Sequence, residues 1–381
     1  GSYLWNSVPY GKSALGRWRI FSQQNPDIAA TSLARFILRN GGSIPYYVND
    51  SSTNGDIYCS AIGKTSNDGL TPNTPKASLQ AILDEYILSP EDVVFVDAGT
   101  YSAGIPPIKI DQTDSGWSNL YVTIQGSTNP ASPTVFSAPN FSAVAVFSLE
   151  YAVNIRLKNM TFKGAKVGVS ATKTIGCEFD SVRIENNRAV GLSLNESQSN
   201  RLVRSVLWKN ADPPDGRAIT INQGRIAVEN SVLWGSPTAI EIGIGSLTVT
   251  NSALDASGTD GRIYKFPAGG TQNFRGDYNS YTRRNNALIC EQQNPAVGVG
   301  NDLYNDMPGW SAATLADRHS MTLDPAFAND VNGDFHPKST GGRYSNGVWI
   351  VDSILSPLVD ASSPSFSSTN EPAPTRGILT A

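Results

Sequence analysis

From about residue 153 to residue 266, apolar and polar positions alternate in short runs that end on an Asn or a Ser and then recur. The runs are Ile155-Arg156-Leu157-Lys158-Asn159, Cys177-Glu178-Phe179-Asp180-Ser181, Arg201-Leu202-Val203-Arg204-Ser205, Ile226-Ala227-Val228-Glu229-Asn230 and Leu247-Thr248-Val249-Thr250-Asn251, with 21 to 25 residues between successive Asn/Ser positions. A second alternating run follows each: Gly168-Val169-Ser170-Ala171, Gly191-Leu192-Ser193-Leu194, Ala218-Ile219-Thr220-Ile221, Ala239-Ile240-Glu241-Ile242 and Arg262-Ile263-Tyr264-Lys265. A period of two predicts strands, and its recurrence every twenty-odd residues predicts a β-solenoid. One turn of such a coil is too small to bury its own apolar side, so turns stack about 4.8 Å apart and like positions form columns.

Two columns are expected to face inward: Leu157, Phe179, Val203, Val228 and Val249, and Val169, Leu192, Ile219, Ile240 and Ile263. Asn159, Ser181, Ser205, Asn230 and Asn251 make a polar ladder at a bend, where side-chain amides and hydroxyls satisfy the turn backbone. The pairs Asn230-Ser231 and Asn251-Ser252 allow the ladder to shift by one residue. Lys158, Asp180, Arg204 and Glu229 alternate in charge from turn to turn, which reads as a self-neutralising register ladder rather than as catalytic machinery.

These features, with the N-terminal motif, resemble the right-handed parallel β-helix proteins of secreted bacterial origin, the pectate-lyase-like solenoids that include polysaccharide lyases, glycoside hydrolases and large surface proteins. The motif reads Tyr46-Tyr47-Val48, Asn67-Asp68-Gly69-Leu70, a Pro-containing turn at 72–75, a helix at 78–86 with Leu79, Ile82, Leu83 and Tyr86 on one side, then Val93-Val94-Phe95-Val96 and Gly99-Thr100-Tyr101. The helix fits a cap over the open end of the coil. Asp324-Pro325-Ala326-Phe327 and Asn332-Gly333-Asp334-Phe335-His336 resemble the closing segment of the same proteins. The resemblance spans about residues 46 to 375 and implies an all-β fold, an extracellular or cell-surface location and a polysaccharide or cell-surface glycan as partner. It specifies fold strongly and activity hardly at all.

The expected organisation is a partial immunoglobulin-like β segment at 1–40, a linker at 41–45 and a capped parallel β-helix at 46–381, with regular turns over about 120–266 and a loop-rich part at 267–381. Gly1-Ser2-Tyr3-Leu4-Trp5, Arg17-Trp18-Arg19-Ile20-Phe21-Ser22 and Ala34-Arg35-Phe36-Ile37-Leu38 alternate like the last strands of a bacterial surface domain, too few to close a sandwich. Neighbouring domains of a longer chain, or copies of this one, are expected partners. No initiating Met or signal peptide is visible, which for a secreted family implies a mature or excised segment.

Composition narrows the function classes. The chain is 39% hydrophobic and 16% charged with a net charge of −4, which fits an ordered protein and gives no reason to expect nucleic acid. No run of about 18 apolar residues predicts a membrane span. Three cysteines, Cys59, Cys177 and Cys290, match no zinc or redox spacing, and Cys177 reads as a small core residue. Two histidines, His319 and His336, leave little for a His-based metal site or triad.

The outward row Ser170, Ser193, Thr220, Glu241 and Tyr264, flanked by Thr172, Asn195 and Asn222, is flat and hydroxyl-rich, suiting a sugar chain laid along the coil; any exposed strand column also carries such residues. Thr220, Asn222 and Tyr264 are the candidate glycan contacts in it. Trp208 and Trp234 take equivalent places in successive turns, either as a pyranose platform or as core filling. Glu241 is the only acid in the row, and a glycosidase needs two carboxylates about 5–10 Å apart. Asp255 and Asp260, with Arg262, are the candidate catalytic partners. Asp330, Asn332 and Asp334 present oxygens at alternate positions around Gly333, a pattern shared by calcium loops and by tight turns; calcium is the one cofactor the sequence suggests. The leading reading is a structural, adhesive and glycan-contacting module; the alternative is a polysaccharide lyase or glycoside hydrolase. Residues 267–322 discriminate: folded beside Glu241 and Tyr264 they make an acidic-glycan site, and wrapped over the end of the coil they make a cap.

Overall fold

The computed structural model describes residues 12–364, apart from 18, 26, 32–35, 40–42, 104–105, 142, 211–214, 259, 297–298 and 346–347. From residue 45 onward parallel strands wind into the right-handed parallel β-helix that the repeat predicts, with one correction: each turn carries three strands, not two. In the turn that begins at Ile155 these are Ile155–Lys158, Met160–Lys163 and Val167–Thr172. The chain therefore has three faces, numbered here in the order each turn visits them. The first face starts at Pro45–Val48 and ends at Phe274–Asp277. The second holds eight strands from Gly99–Ser102 to Ser280–Arg283. The third runs from Ile108–Asp111 to Leu288–Gln292. In the turns through Arg217–Glu229 and Thr238–Thr250, the third face of one turn passes into the first face of the next without a break.

One apolar core runs the length of the coil. Leu157 pairs in register with Phe179, Phe179 with Leu202, Leu202 with Val228 and Val228 with Val249, so Leu202 replaces the expected Val203 in the inward column. The same one-residue slip moves the bend. Asn159, Ser181, Arg204, Asn230 and Asn251 adopt left-handed backbone, φ 50–55°, and Asn159, Ser181, Arg204 and Asn230 each donate their N–H to the carbonyl preceding the next bend, at 2.9–3.2 Å. Arg204 thus takes the place expected for Ser205. Its guanidinium reaches back to Asp180 Oδ1 at 2.6 Å. Ser205 falls one step further in, where a buried ladder satisfies the bend: the backbone N–H groups of Val182, Ser205, Ser231 and Ser252 donate to Ser205, Ser231 and Ser252 Oγ and Asn279 Oδ1 at 3.0–3.2 Å. Both residues of each Asn-Ser pair are therefore used, one at the bend and one beneath it.

The expected charge ladder forms only in part: Lys158 and Arg204 both meet Asp180, at 3.8 and 2.6 Å, but Val203 takes the register position between Asp180 and Glu229, and Glu229 pairs with Arg201 instead of Arg204. Arg156 and Arg201 both hold Glu178, at 2.7 and 2.9 Å, and Arg201 reaches Glu229 at 2.8 Å. Cys177 is buried, as expected, and all three thiols are free.

Both ends of the coil are closed. Helix Leu79–Glu85, capped by Ser78 accepting from the Ala81 N–H, lays Leu79 and Ile82 over the first turn. Residues 267–322 take both expected courses: 274–292 add one more turn to the coil, with Pro267 and Gln293 bordering the pocket at Glu241, and beyond them strand Asp302–Tyr304 pairs antiparallel to Leu288–Gln292 and helix Met307–Thr314 inserts Trp310 into the core, closing the far end. Trp310 stacks on Tyr264 with centroids 5.4 Å apart, and its indole N–H donates to Asp317 Oδ2 at 2.7 Å. The chain then returns as a strap, described over residues 323–345 and 348–363, whose Phe327 and Gly333 meet Trp234 and Arg183 of the second face.

The N-terminal segment contributes two antiparallel strand pairs, Lys12–Gly16 with Phe36–Arg39 and Arg19–Phe21 with Ala29–Thr31. The run from Gly1 to Trp5, residue 40 and residues 41–42 of the expected linker lie outside the described residues. Pro45 already belongs to the first β-helix strand.

Candidate functional site: the open third face

The outward row of the third face reads Ser148, Ser170, Ser193, Thr220, Glu241, Lys265 and Glu291 in register. It matches the expected row up to Glu241 and then departs from it. Ile240 pairs with Tyr264, not Ile263, so Tyr264 is fully buried and Lys265 takes the outward place. The cause is a doublet of inward residues at the start of these strands. Gly168, Gly191, Ala218 and Ala239 occupy its first position, and a side chain at Gly168 would overlap Ile184 Cγ2. Ile263 is the large residue in that small-residue column, which disguises the register.

A cleft of about 440 Å³ opens on this row, lined by Ser193, Arg217, Thr220, Asn222, Glu241 and Lys265, with Pro267 and Gln293 at its end. Arg217 Nε donates to Glu241 Oε2, and Lys265 Nζ lies 3.1 Å from Oε1. Burial pushes the Glu241 carboxyl up, yet the hydrogen bonds and charges of Arg217 and Lys265 more than reverse it and hold the group below its ordinary value. Glu241 is thus an ionised acceptor between two cations. Arg262 is occupied by Glu291, and Thr220 Oγ1 is without a hydrogen-bond partner.

The sequence candidates are scattered: besides the buried Tyr264, they lie on the third face, in the loop before Arg262, on the second face and in the strap. Glu241, Thr220 and Asn222 meet in the cleft, and Arg262 stands in the same face. Asp260 is exposed in the preceding loop, and its backbone carbonyl accepts from Arg262. Asp255 is on the second face, fully buried, accepting from the Gly235 N–H at 2.5 Å; burial raises its carboxyl to about 7. Glu241 and Asp255 therefore do not converge as an acid pair.

Trp208 and Trp234 are also on the second face, under the strap. Trp234 packs against Phe327 and Phe335, at 5.1 and 6.1 Å, and Trp208 against Phe335 at 6.2 Å. They are covered by the molecule itself rather than offered as a platform. Asp330, Asn332 and Asp334 lie in the strap. Asp330 accepts from Trp234 Nε1 at 3.0 Å and pairs with Arg284 at 2.5 Å, while Asp334 pairs with His336 at 2.5 Å. The two carboxylates thus serve separate partners, and among the described residues no group of three His, Cys, Asp or Glu side chains is placed to hold a metal.

Arg217, Lys265 and Gln293 were not among the sequence candidates. A signal for Arg217 exists: Gly216-Arg217-Ala218-Ile219 and Gly261-Arg262-Ile263-Tyr264 repeat a Gly-Arg step before the strand, and Arg217 and Arg262 align through Thr238.

A family sequence profile described as Disaggregatase related matches residues 299–362, which comprise the cap helix and most of the strap. Among solved structures the chain is similar to a rhamnogalacturonan lyase, with 14% identity and TM-score 0.47 over 69% of this chain and 79% of that chain. It is similar to the pectate lyase Pel9A, with 15% identity and TM-score 0.45 over 68% and 74% of the two chains. It is also similar to an alginate lyase from Paenibacillus sp. str. FPU-7, with 15% identity and TM-score 0.41 over 58% and 93%. A search of curated protein sequences finds no match. The class defined by the strand topology is the parallel β-helix protein, and no helix among the described residues is long and apolar enough to cross a membrane.

Proposed function

We propose that this chain is a glycan-contacting β-helix module that acts outside the cell or at its surface, holding a polysaccharide along its third face. The observation that carries the reading is the open row of Ser148, Ser170, Ser193 and Thr220 leading into the cleft around Glu241. Hydroxyls at strand spacing both donate and accept, as sugar hydroxyls require. Arg217 and Lys265 outnumber Glu241 in the cleft, so an anionic sugar substituent is the group best received there.

Binding without cleavage is favoured because the catalytic parts do not assemble. Glu241 is ionised between two cations and is no proton donor; Asp255, the nearest buried acid by sequence, is on another face. The extracellular setting is supported by the likeness of the N-terminal motif to secreted β-helix proteins. Depolymerisation of an acidic glycan is the alternative, and the two cations of the cleft are what favour it. Incubation with a panel of neutral and uronate polysaccharides, with and without calcium, tests both: retention of a polysaccharide without new reducing ends or unsaturated uronate supports the module, and either product establishes the enzyme.

A further inference from the structure

A second trough lies away from the third face, along the early turns of the second. Where the neighbouring turns pass from first to second strand through one or two residues, 97–98 and 159, residues 126–133 form a loop instead, between Val122–Gln125 and Thr134–Ser137. The loop is fastened at both ends. Ser127 N–H donates to Thr134 Oγ1 at 2.7 Å, Tyr58 OH to the Gly126 carbonyl at 3.0 Å, and Ala131 N–H to Asn129 Oδ1 at 3.0 Å.

Facing the loop is the strap. Between them is a cavity of about 670 Å³ lined by Pro130 and Ala131 on one side and by Asn332, Asp334, His336 and Tyr344 on the other. Pro130 also borders an adjoining hollow of about 520 Å³, whose polar floor includes Asn159, Thr161, Ser181 and Arg183. Arg183 ties the two together by donating to the Gly333 carbonyl at 3.2 Å.

The chemistry of this trough differs from that of the cleft around Glu241. Its cations are matched in place: Arg183 is paired with Glu185, and Arg343 with Asp352 at 2.9 Å and Asp334 at 3.9 Å. No surplus cation remains to attract a polyanion. What it offers is amides and hydroxyls that donate and accept, an ionised carboxylate for a pair of sugar hydroxyls, and the ring of Tyr344, 57% exposed, for the apolar side of a pyranose. We infer that the trough between loop 126–133 and the strap is a second saccharide site, selective for neutral chains and separate from the third face.

The test is titration calorimetry of the full chain with β-linked hexasaccharides of glucose, mannose, xylose and galactose, and with oligogalacturonate as the charged comparator. The proteins are wild type, Tyr344→Ala, Ala131→Trp and Lys265→Ala, each checked by its melting temperature. A neutral hexasaccharide is expected to bind wild type. Tyr344→Ala should weaken that binding about tenfold, the size of a lost aromatic contact. Ala131→Trp, which fills the cavity, should abolish it, and Lys265→Ala on the third face should leave it unchanged. The inference is overturned if only oligogalacturonate binds, if no sugar binds, or if neutral binding survives both trough variants or is lost in Lys265→Ala. Because Lys265 reports only on the third face, failure of one site is distinguishable from failure of the other.

Discussion

The second and third faces are built from the same parallel strands of the same turns, yet one is roofed and the other open. On the late second face the outward positions are Val206, Val232, Trp208 and Trp234, and the strap closes over them with Phe327 and Phe335. On the third face the same two turns present Thr220 and Glu241, continuing the row that begins at Ser170 and Ser193, and no segment among the described residues crosses the cleft. The backbone does not decide which face is available to a ligand. The outward side chains do, because apolar rows are removed from water by whatever chain is at hand and hydroxyl rows are not.

The contrast can be broken most forcefully at Trp234. It is 4% exposed and anchors both strap phenylalanines, so Trp234→Ala should destabilise by about 3–5 kcal/mol, measured by denaturant unfolding. Hydrogen exchange should accelerate in the strap while the third face is unchanged. Uniform loss of protection across the coil would instead make the strap part of one cooperative unit.

Asp255 sharpens the same comparison through pH. Its carboxyl is buried beneath the strap, with Arg284 Nε 2.9 Å from Oδ2 but not aligned for a hydrogen bond. Burial raises it from 3.8 to about 7. The folded state therefore prefers the protonated form. Its advantage is full below about pH 4, declines as pH rises, and is lost above about 7. A tenfold difference in proton affinity between the folded and unfolded chain corresponds to about 1.4 kcal/mol, so Asp255→Asn should match wild type near pH 4 and exceed it at pH 9 by on the order of 4 kcal/mol, the opposing Arg284 charge being already included in the rise. Melting temperature against pH reads this directly, and a parallel pair of curves contradicts it.

Gly333 has φ +80°, and a Cβ there would overlap Arg183 Nη2 and come within 2.9 Å of Trp208. Gly333→Ala should cost about 1–3 kcal/mol and loosen the strap edge, seen as earlier proteolysis near that residue. The smallest effect belongs to the open face. Lys265→Ala removes a partly exposed ion pair and should change stability by less than about 1 kcal/mol, while retention of an acidic polysaccharide falls. An equal loss of stability at Lys265 and Trp234 would erase the distinction between the faces.

Much of this was legible in the sequence. Period-two alternation repeated over five turns revealed the coil, the columns through Leu157 and Val169, the capping helix around Ile82 and the hydroxyl row as far as Glu241, because stacking makes each turn restate the previous one. The errors arose where one turn carries an irregular residue: Arg204 at a bend otherwise filled by Asn or Ser, and Ile263 in a column of Gly and Ala. Strands such as Arg183–Glu185 and Val206–Trp208 have three residues each, too few for alternation to announce them. The roof over Trp208 and Trp234 depends on partners such as Asp330, 96 residues from Trp234 in sequence, and no local pattern reports such a contact.

The most direct test is hydrogen exchange of the full chain with and without an acidic polysaccharide. Contact along the third face predicts added protection in residues 190–195, 217–222, 238–243 and 262–266, with the strap and the first face unchanged. Protection confined to the strap or the first face, or none anywhere from a sample that retains the polysaccharide, would contradict it.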